Sequence, residues 1–135
     1  MENKSNDSTP QRPEGERTLD ASLVQMDLNQ FILKIKGEST WAGSDRNSMT
    51  IYKSDTMRIV LLGLHQHAEL KTHQANGVIS VQVLEGSINF TTDQKAVVLE
   101  KGQIFALHEN IPHSVKALKE SFFLLTLAMN KPNKV

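Results

Sequence analysis

The sequence predicts an all-β domain, a barrel or sandwich, preceded by one short helix. Three observations predict it. From Met49 onward, short runs of Val, Ile, Leu and Phe are broken by turn residues every eight to twelve positions, the spacing of successive antiparallel strands. Glycine follows a polar residue at Asn76-Gly77, Glu85-Gly86 and Lys101-Gly102, where a chain can reverse. Only one stretch, through Leu28, Phe31, Ile32 and Ile35, carries the i, i+3, i+4, i+7 apolar stripe of a helix.

Taken in order, residues 1–18 are polar, hold Pro10, Pro13 and Gly15, and lack the apolar surface that would offset ordering, so a disordered tail is expected there. Residues 19–48 form an N-terminal arm. Asp27 is a good N-cap, Gln30 completes a capping box, and Gly37 stands where a C′ glycine ends a helix. The helix should pack on the outside of the barrel or at a subunit interface. The barrel then spans 49–130, with strands expected near 49–54, 57–65, 68–73, 78–84, 87–92, 95–99, 103–107, 112–118 and 121–129. Runs 57–65 and 121–129 are almost continuously apolar, which predicts two buried faces for each. The second face would lie against a helix or a second subunit, and a homodimer is expected on that ground.

Composition narrows the function. Fifteen basic and fifteen acidic side chains cancel, and no three basic residues are consecutive, so nothing draws the chain to nucleic acid or to an anionic membrane. With no cysteine there are no disulfides, thiolate metal sites or cysteine nucleophiles. The first ten residues have no apolar core of a signal peptide, and no apolar run approaches the roughly 18 residues of a membrane span. A cytoplasmic location follows as the default. Serine-nucleophile and phosphate-loop signatures are absent.

Two segments carry the chemistry. The first is His73-Gln-Ala-Asn-Gly-Val-Ile-Ser-Val-Gln-Val-Leu-Glu-Gly86, and the second is Gly102-Gln-Ile-Phe-Ala-Leu-His-Glu-Asn-Ile-Pro-His113. Together they resemble the two motifs of the cupin superfamily, G-x5-H-x-H-x3,4-E-x6-G and G-x5-P-x-G-x2-H-x3-N. The resemblance spans about 50 to 130. It implies a double-stranded β-helix, or jelly-roll barrel, with a metal between the motifs. Anchored on Gly86, the family glutamate falls at Ile79, its two histidines at His73 and Ala75, and its leading glycine at His67. Anchored on Gly102, the histidine falls at His113, the proline at His108, the inner glycine at Asn110 and the asparagine at Ala117. Of the four ligand positions, His73 and His113 keep a donor atom. Trp41, Asp45, Arg46 and Asn47 also match residues that precede the barrel in a group of small bacterial single-domain cupins with no settled activity.

The expected site is therefore a pocket around His73 and His113, lined by Ile79, Ala75 and Phe105. Two histidines hold a first-row metal weakly, and a catalytic metal usually has three protein ligands. His67 or His108 is the candidate third donor for Fe, Mn, Ni or Zn. Gln82 is set aside, because period-two alternation points it away from the face of Ile79. The plain alternative is a pair of barrel histidines hydrogen-bonded to backbone or water, with His65, His67 and His108 on the surface. Trp41 either caps one end of the core or contacts a ligand. Arg46 pairs either with a ligand carboxylate or with a neighbouring surface acid. The reading favoured is a small-molecule-binding barrel with weak or absent metal. The alternatives are a metal-dependent enzyme of dioxygenase or isomerase type, a metal-free acid/base enzyme using a histidine, and a structural or partner-binding dimer.

Overall fold

The computed structural model describes residues 19–129, so the tail expected over 1–18 lies outside the described residues. Two helices, α1 (Leu28–Gly37) and α2 (Ser39–Gly43), precede nine strands: β1 (Arg46–Lys53), β2 (Met57–Leu64), β3 (Glu69–His73), β4 (Gly77–Glu85), β5 (Ser87–Thr92), β6 (Ala96–Glu100), β7 (Ile104–Leu107), β8 (His113–Ala117) and β9 (Ser121–Met129). Each expected strand is present, and β1 starts three residues earlier than the apolar run that predicted it. The strands form two antiparallel sheets, β1-β2-β9-β4-β7 and β3-β8-β5-β6. This is the jelly-roll sandwich the sequence predicts. Among the described residues no helix is long and apolar enough to cross a membrane.

Period-two alternation builds the inner core. Ile79, Val81 and Val83 of β4, with Phe123 of the neighbouring β9, face Ile88 and Phe90 of β5 and Val115 of β8, all buried. The intervening residues of the five-stranded sheet face the other way. There Met49, Ile51, Leu61 and Phe122 pack under Ile32, Ile35 and Trp41 of the helical arm. Neighbours Phe122 and Phe123 thus enter opposite cores. This explains the unbroken apolar runs of β2 and β9. Their second face is taken by the arm, so those runs by themselves no longer call for a second subunit.

The arm departs from expectation at its end. Asp27 caps α1 as predicted, its carboxylate accepting from Gln30 N at 3.2 Å. Gly37, however, is the last helical residue, and Glu38 is the C-cap, its N–H donating to Ile35 O. A second helix, α2, carries Trp41 in an arm for which the sequence predicts one helix only. Five residues without a side-chain N-cap give too short a stripe for periodicity to detect.

Asn47 fastens this arm to the barrel. From β1 its side-chain amide donates to Ile35 O (3.2 Å) and to Glu38 Oε1 (2.9 Å), all in a buried setting. Asn47→Ala removes a donor that water cannot replace there. Loss of about 2 kcal/mol of unfolding free energy is expected by urea denaturation. A change within about 0.5 kcal/mol would mean that the arm docks through its apolar contacts alone.

Candidate functional site

The two histidines face each other across β3 and β8. His73 and His113 are direct partners in the register, and their ring centroids lie 4.3 Å apart, edge to face. A register shift between Leu70 and His73 marks a bulge in β3 just before the site. Bulges of this kind re-aim the side chains that follow. His113 is 4% exposed, whereas His73 stands at the rim.

Both rings are held the same way. His73 Nδ1 lies 2.7 Å from Lys71 O and His113 Nδ1 lies 2.9 Å from Ile111 O. A carbonyl oxygen only accepts, so each Nδ1 carries a proton, and in its neutral form each ring has its lone pair at Nε2. The local i to i−2 contact fixes ring orientation without help from another side chain. The pair therefore offers two acceptors in a wall that is otherwise apolar: Leu62, Leu70, Ile79, Val81, Phe90, Val115, Phe123 and Leu125 line the same void. That void measures about 30 Å³, room for one water.

Burial lowers the His113 pKa below the ordinary histidine value; the hydrogen bond to Ile111 O opposes this, and the charge of a protonated His73 adds to it. A depressed histidine pKa means that the unfolded chain takes up a proton which the folded chain refuses. The stabilising contribution is therefore complete above about 6.5 and is lost as pH falls toward the lowered value. The melting temperature should fall between pH 7 and pH 5, with a shallower slope in His113→Phe. Equal slopes would place the titrating group elsewhere.

The other expected site residues divide. Ile79 lines the histidine void, as stated above. Ala75 packs half-buried against the same core, and its carbonyl accepts from Asn110 N at 2.9 Å, tying the β3–β4 and β7–β8 loops at this end. Phe105 meets Phe90 at 4.1 Å between ring centroids. Trp41 and Arg46 are not brought to the pair. Trp41 is buried between the arm and the barrel and stacks on His65 at 3.7 Å, and His65 Nε2 lies 2.8 Å from Trp41 O. Arg46 donates to Asp45 through Nε (2.8 Å) and Nη2 (3.1 Å), and through Nη2 to Glu69 O (2.8 Å). It thereby bridges edge strands β1 and β3 of the two sheets. The Trp-Asp-Arg-Asn set is a structural clasp, which its polar composition alone did not reveal.

A third metal donor is not at hand. Among the described residues no group of three His, Asp or Glu side chains is placed to hold a metal ion. His67 occupies a turn with φ +74° and is exposed, and His108 is exposed in the loop after β7. Gln82 pairs with Leu124 and Ile104 on the face away from Ile79. Two imidazole nitrogens without a carboxylate do not fit a resident catalytic metal.

Phe90 is the site residue that sequence reasoning missed. It lies on β5 in phase with Ile88, so alternation marks it as inward. That it meets both His113 (5.3 Å, 17° between planes) and Phe105 depends on strands distant in sequence. A groove of about 250 Å³ lies beside it, lined by Phe90, Thr92, Gln94, Lys95, Val97, Phe105, Ala106 and Leu107. A larger hollow of about 730 Å³, near Asp20, Tyr52 and Asp55, shares no lining residue with the histidine pair.

No protein-family model and no curated protein matches the sequence. Solved structures do. A conserved protein of unknown function from Streptococcus pyogenes superposes with TM-score 0.68 at 22% identity, over 85% of this chain and 95% of that one. A cupin superfamily protein from Desulfitobacterium hafniense gives TM-score 0.62 at 16% identity, over 63% of this chain and 78% of that one. A salicylate 1,2-dioxygenase from Pseudaminobacter salicylatoxidans gives 0.58 at 19% identity, over 75% of this chain but 31% of that one. At these identities the likeness is one of fold.

Proposed function

We propose that this cupin-fold barrel binds a small molecule at the His73–His113 pair without a resident catalytic metal. One observation carries the reading. Both imidazoles are fixed through Nδ1 to their own backbone, which leaves two Nε2 acceptors in an apolar wall. A few placed polar groups in an apolar lining are the usual make-up of a small-molecule site. The void is water-sized, so the body of the ligand lies toward the neighbouring 250 Å³ groove.

The test is elemental analysis of untagged protein purified without chelators, alongside a His73→Ala/His113→Ala double variant. Metal far below one per chain in both is expected, together with histidine-ring NMR shifts on addition of small hydroxylated probes to the wild type alone. Near-stoichiometric metal that disappears in the double variant would overturn the reading in favour of a metal-dependent enzyme. The Nδ1-to-carbonyl bonds would then be the outer-shell supports commonly found behind metal-bound histidines.

A further inference from the structure

Resting on that reading, we propose that Phe90 and Phe105 form a gate between the outer groove and the histidine pair, and that the gate admits a neutral, single-ring molecule bearing a hydroxyl group. Phe90 lines both the void of about 30 Å³ that holds the histidines and the groove of about 250 Å³ outside. Its ring stacks on His113 with 5.3 Å between centroids and meets Phe105 with 4.1 Å between centroids. Among the described residues no other lines both cavities, so its ring stands between them, while His73 keeps its exposed face at the rim.

The topology explains why the gate is there. Phe90 belongs to β5 and Phe105 to β7, in different sheets. At the β1/β3 side the sheets are joined by the Arg46 bond to Glu69 O. At the opposite side the edge strands β6 and β7 do not pair with each other; the turn between them is bonded to β4 (Gly102 N to Val83 O, Val83 N to Gln103 O), and beyond that turn the two phenylalanine rings meet across the sheets. A ring–ring contact has no hydrogen bond to break. Rotation of one side chain about χ1 moves it between staggered positions and leaves both ladders intact. Phe105 is only half-buried and has room toward the groove.

The lining selects the ligand. Among the described residues His73 and His113 are the polar side chains around the inner void, and in their neutral form the rings present Nε2 lone pairs. A hydroxyl donor satisfies a lone pair, whereas a carboxylate would set negative charge against it; Lys95 lines the outer groove, where it would hold a carboxylate away from the rings. Val97, Phe105 and Leu107 give the groove an apolar wall. Its volume falls below the roughly 300–1,000 Å³ of sites for drug-sized molecules, so one ring is the appropriate size.

The probes are p-cresol, toluene and 4-methylbenzoate, equal in ring and methyl and different in the polar group. Binding is read at pH 7.5 from the ring signals of His73 and His113, and association rates from exchange line shapes. In the wild type p-cresol should shift both rings, with toluene and 4-methylbenzoate at least tenfold weaker. Phe105→Ala should raise the association rate of p-cresol at least tenfold, and Phe90→Leu should do so independently. If Phe90→Leu does not fold, the half-buried Phe105 position decides the question. Equal association rates in the wild type and the folded gate variants would overturn the gate while leaving the binding reading standing. Equal binding of all three probes at the rings would overturn the hydroxyl requirement. No ring shift from p-cresol in the wild type or either variant would overturn the binding reading itself, and the gate with it.

Discussion

Ile79→Glu is expected to turn the histidine pair into a metal site. Ile79 shares the void with His73 and His113, and its β4 neighbours Val81 and Val83 are buried on the same face. A carboxylate introduced there completes a two-histidine, one-carboxylate set of the kind that holds zinc and non-haem iron. Without metal the new carboxyl lies in an apolar wall. It should stay protonated near neutral pH and destabilise the fold by about 3 kcal/mol. With Zn²⁺ at a hundred times its dissociation constant, binding should restore about 2.7 kcal/mol, read as a melting-temperature rise of roughly 10 °C. The wild type, with two donors, should show little rise under the same conditions. Zinc affinity no higher in Ile79→Glu than in the wild type would mean that the side chain at 79 does not converge with the two imidazoles.

Gly86→Ala should cost a large share of the stability of the fold. Gly86 has φ +91°, in the left-handed region that L side chains avoid, and a Cβ there would overlap Ser121 Oγ and Glu120 O. Ser121 cannot simply withdraw. Its hydroxyl accepts from Ser87 N at 3.0 Å, lies within donating distance of Ser87 O and Lys119 O, and is fully buried. Strain and overlap together give about 3–5 kcal/mol, against the roughly 5–15 kcal/mol by which a domain is stable. Gly102→Ala is the control. Its φ is +85°, but a Cβ there would meet nothing within 4 Å, so about 1–2 kcal/mol is expected. Urea midpoints with an unchanged slope give both values. Similar losses at the two glycines would show that backbone conformation, not the Ser121 contact, sets the cost at Gly86.

These two glycines are also where the sequence was easiest to read. A left-handed turn leaves a local signature, as does period-two burial, so the nine strands and the inward face of β4 were legible. His73 and His113 were legible as a pair because motif spacing places each on its strand. Other features depended on packing between distant segments. Helix α2 is too short to show a period. Trp41 and Arg46 have side chains that suit a ligand as well as a clasp, and only the stack on His65 and the bond to Glu69 O decide between them. Phe90 showed itself as inward-facing, yet nothing local says that β5 lies beside β8 and across from β7. The small size of the void was equally hidden, since it is a sum over ten side chains from six strands.

The place of β9 bears on how the chain reaches this state. It comes last of the nine strands but lies in the middle of its sheet, between β2 and β4. Met57 pairs with Ala128, and Gly77 with Met129. Until 121–129 has been synthesised, β2 and β4 have no neighbour between them, and each presents an unsatisfied ladder edge rich in valine, leucine and isoleucine. Pairing of such remote segments is slow, on the order of milliseconds to seconds in sandwich folds. The interval in which a nascent or refolding chain can join edges with another copy is therefore set by its final strand.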